Sequence, residues 1–233
     1  MVGRRHLVHG ERLHLVLLLS LTFSTGIVDA VGYLGLDRVF AGNMTGNIVI
    51  LGMGLAGADG LPVIGPLLAL VTFVLGASAA GLAMRGVRAG WTARATVMLA
   101  AAAVLIAAAM IPRLVSGPSA LPGALTATAL LAAAMGVQAG VARHIAVAEV
   151  TTVVVTSALV ALAFELFSGN GMPQRWVRRV VVLALLVLGA FTGAVLLSLS
   201  IFFALGAAAT ITAAVAVLGA VSRDAPQASG ARG

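Results

Sequence analysis

The sequence predicts an all-α protein, a polytopic integral membrane helical bundle of six spanning helices plus two re-entrant or short segments, laid out as an inverted repeat. Three observations carry this prediction. Of 233 residues, 61% are hydrophobic and 9% charged, with a mean hydropathy of +1.13. Soluble domains hold about 25% charged residues, so this chain lacks the polar material for a hydrated shell and lipid must be its solvent. Apolar runs of about 18 residues or more, the length that crosses a bilayer, recur from one end to the other. The third observation is that the positive charge is all arginine and sits between those runs.

Taken in order, the eight candidate segments are 13–36, 41–58, 61–84, 94–112, 121–142, 148–167, 177–199 and 201–221. The first follows Arg4, Arg5 and Arg12, which resembles the charged start of a secretory signal. Its apolar stretch continues past Gly26 to about Leu36 and more segments follow, so it reads as a first transmembrane helix. Residues 1–12 then form a cytoplasmic arm, 13–221 a single transmembrane domain and 222–233 a disordered tail. The second segment is a poor lipid-facing helix. It carries Gly42, Gly46, Gly52, Gly54 and Gly57 and opens with the polar run Asn43-Met44-Thr45-Gly46-Asn47. Glycine costs about 1 kcal/mol against alanine in a helix interior, and polar backbone is tolerated at membrane depth only beside protein or a water-filled cavity.

Arginine placement decides which segments cross, because cytoplasmic loops carry the excess of basic residues. With all eight segments spanning and the N-terminus inside, nine arginines fall inside and five outside. With only 41–58 re-entrant the count is seven against seven. With both 41–58 and 148–167 dipping in and returning, only Arg38 and Arg113 stay outside, and the count becomes twelve against two. Re-entry also requires Arg38 and Gly60 to share one side of the membrane.

Three spans per half make the second half start on the opposite face, the inverted-topology repeat of secondary transporters. The halves would be 13–112 and 121–221. Gly26-Ile27-Val28-Asp29-Ala30 has a loose counterpart in Gly136-Val137-Gln138-Ala139, and Thr45-Gly46 has one in Thr156-Ser157.

Asp29 stands deep inside the first apolar run. An aspartate at the centre of a spanning helix costs about 2.5–3.5 kcal/mol to insert, so something must compensate it. Two readings stand open: a proton-accepting or substrate-contacting carboxylate facing a cavity, or a structural one that caps a nearby helix end or bonds Thr45 or Asn47. The run Asn43, Met44, Thr45, Gly46 and Asn47 has two readings as well. It can aim backbone N–H groups at an anion or polar solute from the start of a re-entrant helix, or it can be an N-cap followed by close packing. Gln138 and Thr156 are the related candidates of the second half, with Thr151 and Thr152 nearby. Threonine commonly bonds back to its own helix, which is the structural alternative for each.

The remaining polar residues read as boundary features. Arg143, His144 and Glu149 fall where charges snorkel to the headgroups. Glu165 faces a cavity or pairs with Arg175 or Arg178, and His6, His9 and His14 lie in or beside the N-terminal arm. Gly76-Ala77-Ser78-Ala79-Ala80-Gly81 and Gly189-Ala190-Phe191-Thr192-Gly193 are small-residue faces suited to tight helix crossings, within the chain or between copies.

Several functions are disfavoured. Dispersed arginines without a stripe or patch argue against nucleic acid. Absence of cysteine excludes disulfides and thiolate metal sites. No nucleotide-binding loop, metalloprotease or serine-hydrolase signature occurs, so neither an enzyme, a cofactor nor a metal is expected. An intramembrane enzyme would need a second reactive group near Asp29, and His144 lies too close to the boundary.

Gly26-Ile27-Val28-Asp29-Ala30-Val31-Gly32-Tyr33-Leu34, followed by Val39-Phe40-Ala41-Gly42-Asn43-Met44-Thr45-Gly46-Asn47, closely resembles the hallmark region of the YoaK-like family of bacterial inner-membrane proteins. Gly136-Val137-Gln138 with Thr151-Thr152 and Thr156 is similar to that family's second half. The chain departs where the family often has Gln-Asn and Thr-Gly: here stand Gln138-Ala139 and Thr156-Ser157. The resemblance implies a multi-pass protein of the bacterial plasma membrane with no established substrate.

Two functions follow as expectations. One is a small-solute secondary transporter or permease whose midplane site uses Asp29, Asn43, Thr45, Gly46, Asn47, Gln138 and Thr156 on a small polar or anionic solute. The other is a non-transporting scaffold or accessory subunit that packs through its small-residue faces.

Overall fold

The computed structural model describes residues 2–117, 120–145, 155–167 and 176–224; within these, the side chains of 2–11, 165–167 and 223–224 are not described. All regular structure among them is helical: α1 (Val2–Gly35), α2 (Met44–Leu55), α3 (Ile64–Ala83), α4 (Ala93–Ala108), α5 (Met110–Ser116), α6 (Leu121–Ile145), α7 (Val155–Phe167), α8 (Trp176–Leu199) and α9 (Ile201–Asp224). Helices α4 and α5 make one apolar stretch, Ala93–Ser116. The break falls after Ala108 because Pro112, four residues on, has no N–H to donate to that carbonyl.

Six stretches are long and apolar enough to cross a membrane: Arg12–Gly35, Ile64–Ala83, Ala93–Ser116, Leu121–Ile145, Trp176–Leu199 and Ile201–Ser222. Helices α2 and α7, of 12 and 13 residues, are apolar but short. At 1.5 Å per residue each is roughly 20 Å long, against a hydrocarbon core of about 30 Å. The expected six spans and two short segments are therefore present. Some boundaries differ: α1 begins at Val2, ahead of the expected Leu13, and the short helix of the second half begins at Val155, with residues 146–154 outside the described ones.

Contacts at the two ends of the bundle give the direction of each helix. At one end His14, near the start of the Arg12–Gly35 span of α1, stacks on Trp91, just before α4, with ring centroids 5.6 Å apart. The same indole lies so close over Gly219, near the end of α9, that a side chain there would overlap it. Arg94 Nη1 donates to Ala83 O at 3.0 Å, and His144 Nε2 pairs with Arg88 O at 3.0 Å, so the ends of α3 and α6 join this group. At the other end Gly35, Arg113, Leu197, Ser200, Ile201 and Phe202 line one cavity of about 360 Å³. Hence α1, α4–α5 and α8 run one way while α3, α6 and α9 run the other. Arg38 Nη1 donates to Gly60 O at 3.2 Å, so the chain enters and leaves α2 at one end and that helix does not cross. The first half of the chain and the second therefore run in opposite directions.

Packing repeats this relation. Helices α1 and α6, the first of each half, are central: their spans are 67% and 61% buried, against at most 39% for the other four. Each takes its closest partner from the other half, α1 pairing with α8 and α6 with α3. Next come α1 with α9 and α6 with α4, while α4 and α9 meet each other. Glycine makes both leading pairs close. A Cβ on Gly189 would run into Phe23 O and one on Gly26 into Leu186 O, and the same holds for Gly136 against Phe73 O and Gly76 against Ala133 O. Without a hydrophobic force between helices in lipid, such backbone approach is what holds them together. Val74, Leu75 and Leu82 of α3 and Val187, Leu188 and Phe191 of α8 stay exposed and make the lipid-facing surface.

Candidate functional site

Between α1 and α2 the chain reverses through Asp37 (φ 67°) and Arg38 (φ 56°), both left-handed without being glycine. Gly32 O accepts from Leu36 N at 3.2 Å and Val39 N at 3.4 Å, and a side chain on Gly32 would collide with Val39 O. Val39, 1% exposed, then packs with Ala69 of α3 and Ala132 of α6. The reversal is thereby pinned to α3 and α6 as well as to α1.

Asp29 holds this loop from the α1 side. Its Oδ1 accepts from Gly42 N at 2.6 Å and Ala41 N at 3.0 Å. Charge-assisted bonds of this kind stabilise more than neutral ones and compensate a carboxylate removed from water. Gly42 leaves the room for it, since a Cβ there would sit 3.1 Å from Thr25 Cγ2 and 3.5 Å from the carboxylate. Asn43 caps α2, its side chain accepting from Gly46 N at 3.1 Å. Asn47, fully buried, closes a ring with Phe40: Phe40 N donates to Oδ1 at 2.9 Å, and Nδ2 donates to Phe40 O at 2.7 Å. The N–H groups of Ala41, Gly42 and Gly46 are thus taken by the protein's own side chains, while the side chains of Asn43 and Thr45 are exposed.

Asn47→Ala would strand both polar groups of Phe40, each worth about 1–3 kcal/mol when buried. We expect about 2–4 kcal/mol lower stability, against about 1 kcal/mol for Asn43→Ala, read from unfolding midpoints in mixed micelles.

Gln138 of α6 is 3% exposed. Its Nε2 donates to Leu21 O at 3.3 Å and Thr25 Oγ1 at 3.0 Å, linking the two central helices. Thr25 is the residue sequence reasoning missed. It lies one turn before Asp29 on the same face of α1, touches Gly42 and receives Gln138, so it joins the two polar centres. A hydroxyl four residues ahead of the buried carboxylate was the available signal.

Other candidates are not brought to this place. Thr156 is exposed in the first turn of α7, which packs against α8. Arg143 is exposed, and His144 lies at the Trp91 end with Arg88. Thr151, Thr152, Glu149 and Arg175 lie outside the described residues, as do the side chains of His6, His9 and Glu165.

Six spans in two oppositely directed halves, with a carboxylate inside a span gripping the entry to a short helix, define a multi-pass transmembrane protein. Residues 17–218 match the family described as "Protein of unknown function (DUF1275)", and the chain belongs to it. It is 30% identical over 189 residues to the UPF0700 transmembrane protein YoaK of Bacillus subtilis (strain 168), covering 79% of this chain and 82% of that protein. The resemblance read from the Asp29 and Asn43–Asn47 regions is therefore borne out. No solved structure matches the chain.

Proposed function

We propose that this protein is a small-solute secondary transporter of the bacterial plasma membrane with both termini in the cytoplasm. Support comes from two short apolar helices at corresponding positions of oppositely directed halves, the arrangement from which transporters build midplane sites. The observation that carries the reading is Asp29: an ionisable residue inside a spanning helix is expensive, and here it fastens the mouth of a short helix beside the meeting of α1 and α6. The orientation follows from charge. Arg38 and Arg113 stand at one end, whereas Arg12, Arg85, Arg88, Arg94, Arg143, Arg178 and Arg179 belong to the other, which the positive-inside rule assigns to the cytoplasm.

Scaffold action through small-residue faces has less support, because Gly26, Gly76, Gly136 and Gly189 are engaged inside the chain. Proteoliposomes tested with a panel of small solutes should accumulate one of them. Asp29→Asn should abolish that uptake while the variant stays monodisperse in detergent. Equal uptake by wild type, variant and protein-free vesicles rejects transport.

A further inference from the structure

The leftover hydrogen-bonding capacity where α1 meets α6 is all of one kind. Leu21 O is a carbonyl and can only accept, so the amide of Gln138 must turn its nitrogen there. That orientation leaves Gln138 Oε1 as a buried acceptor with no partner. Thr25 Oγ1 donates to Leu21 O at 2.9 Å and accepts from Gln138 Nε2, which leaves it an oxygen lone pair. Asp29 accepts from Ala41 N and Gly42 N through Oδ1 and is also bonded by the backbone N–H of Asn43; three bonds do not fill the four lone-pair sites of a carboxylate, so accepting capacity remains. The N–H groups of Ala41, Gly42 and Gly46 are already taken by Asp29 and Asn43.

An anion brought here would meet a carboxylate and acceptor oxygens. A cation would meet three kinds of oxygen ligand, the donor set that hard cations take. With a single carboxylate present, one positive charge is balanced, whereas a divalent ion would leave buried charge uncompensated.

We infer that the crossing of α1 and α6 binds a small monovalent cation, an alkali ion or an ammonium group, through the Asp29 carboxylate, Gln138 Oε1 and Thr25 Oγ1. This deepens, and rests on, the transport reading of the same site; of the small polar or anionic solute expected from the sequence, it replaces the anionic alternative by a cation, as substrate or coupling ion. The physical reason is that Asp29 and Asn43 have filled the amide groups an anion would need.

The test is a thermal-unfolding titration of the full chain in detergent with sodium, potassium, ammonium and methylammonium chloride, with choline chloride holding ionic strength constant. At least one cation should raise the midpoint saturably, and replacing chloride by sulfate or phosphate should not matter. Thr25→Val keeps the side-chain shape and should weaken the apparent Kd by about tenfold, the effect of losing about 1.4 kcal/mol of binding. Gln138→Met should do the same; where it fails to fold, Thr25→Val decides. Gly81→Ala, on an open face of α3, should leave the titration unchanged. No response to any cation, or a response that follows the anion, overturns the site. Uptake that is sensitive to Asp29→Asn without a cation response keeps transport and removes this inference; a saturable cation response without uptake keeps the site and removes transport.

Discussion

Gly136→Val and Gly189→Val should each abolish the folded protein. At both positions a Cβ would overlap the backbone carbonyl oxygen of the partner helix, Phe73 O for Gly136 and Phe23 O for Gly189. A clash with the end of a flexible side chain is relieved by a rotamer change, but one with backbone requires the helices to separate. Separation on the α1–α8 or α3–α6 pair removes the contacts that join one half of the chain to the other. We expect a cost above about 4 kcal/mol, a large part of the 5–15 kcal/mol that holds a domain together. Fluorescence-detected size exclusion should then show loss of the monodisperse peak. Gly52→Ala and Gly81→Ala are the controls, since nothing lies within 4 Å of a Cβ at either. Normal behaviour of Gly189→Val would mean that α1 and α8 do not pack as described.

Asp29→Leu should destabilise the protein, and the sign is what matters. If the carboxylate merely faced lipid, replacing it by leucine would remove an insertion cost of about 2.5–3.5 kcal/mol and raise stability. Because Asp29 accepts from Ala41 N and Gly42 N, leucine instead strands two donors at about 1–3 kcal/mol each and loosens the entry to α2. Asp29→Asn retains an acceptor oxygen without the charge and should fall between wild type and Asp29→Leu. Unfolding midpoints in mixed micelles give the order. A rise for Asp29→Leu would refute the loop-holding role.

Much of this was open to reading before any coordinates. Hydropathy and length gave eight candidate segments, and arginine placement favoured the return of both 41–58 and 148–167, which left six spans; the six long apolar stretches agree with that number, and the bond between Arg38 and Gly60 agrees with the return of 41–58. Gly76 and Gly189 were visible in small-residue faces, but not their partners Gly136 and Gly26 nor which helix each would meet. Asp29 was conspicuous for its cost, yet its partners Ala41 and Gly42 donate from the backbone, which no residue type announces. Thr25 was hidden for a related reason: a threonine in a helix usually bonds to its own preceding turn, and this one does so as well while also receiving Gln138. Thr156 was chosen by analogy with Thr45, and analogy between two alanine- and valine-rich halves carries no information about which face a side chain takes.

By itself, then, the amino-acid order determined solvent, span number and which segments stop short, because each depends on properties summed along a contiguous stretch: apolar length, glycine content and charge at its ends. Tertiary structure alone decided the exchange of partners between halves, the capture of the Ala41 and Gly42 amides by Asp29 and the unpaired oxygen of Gln138. Those depend on distances between helices far apart in the chain, where a single methyl group or one turn of rotation changes which atoms meet.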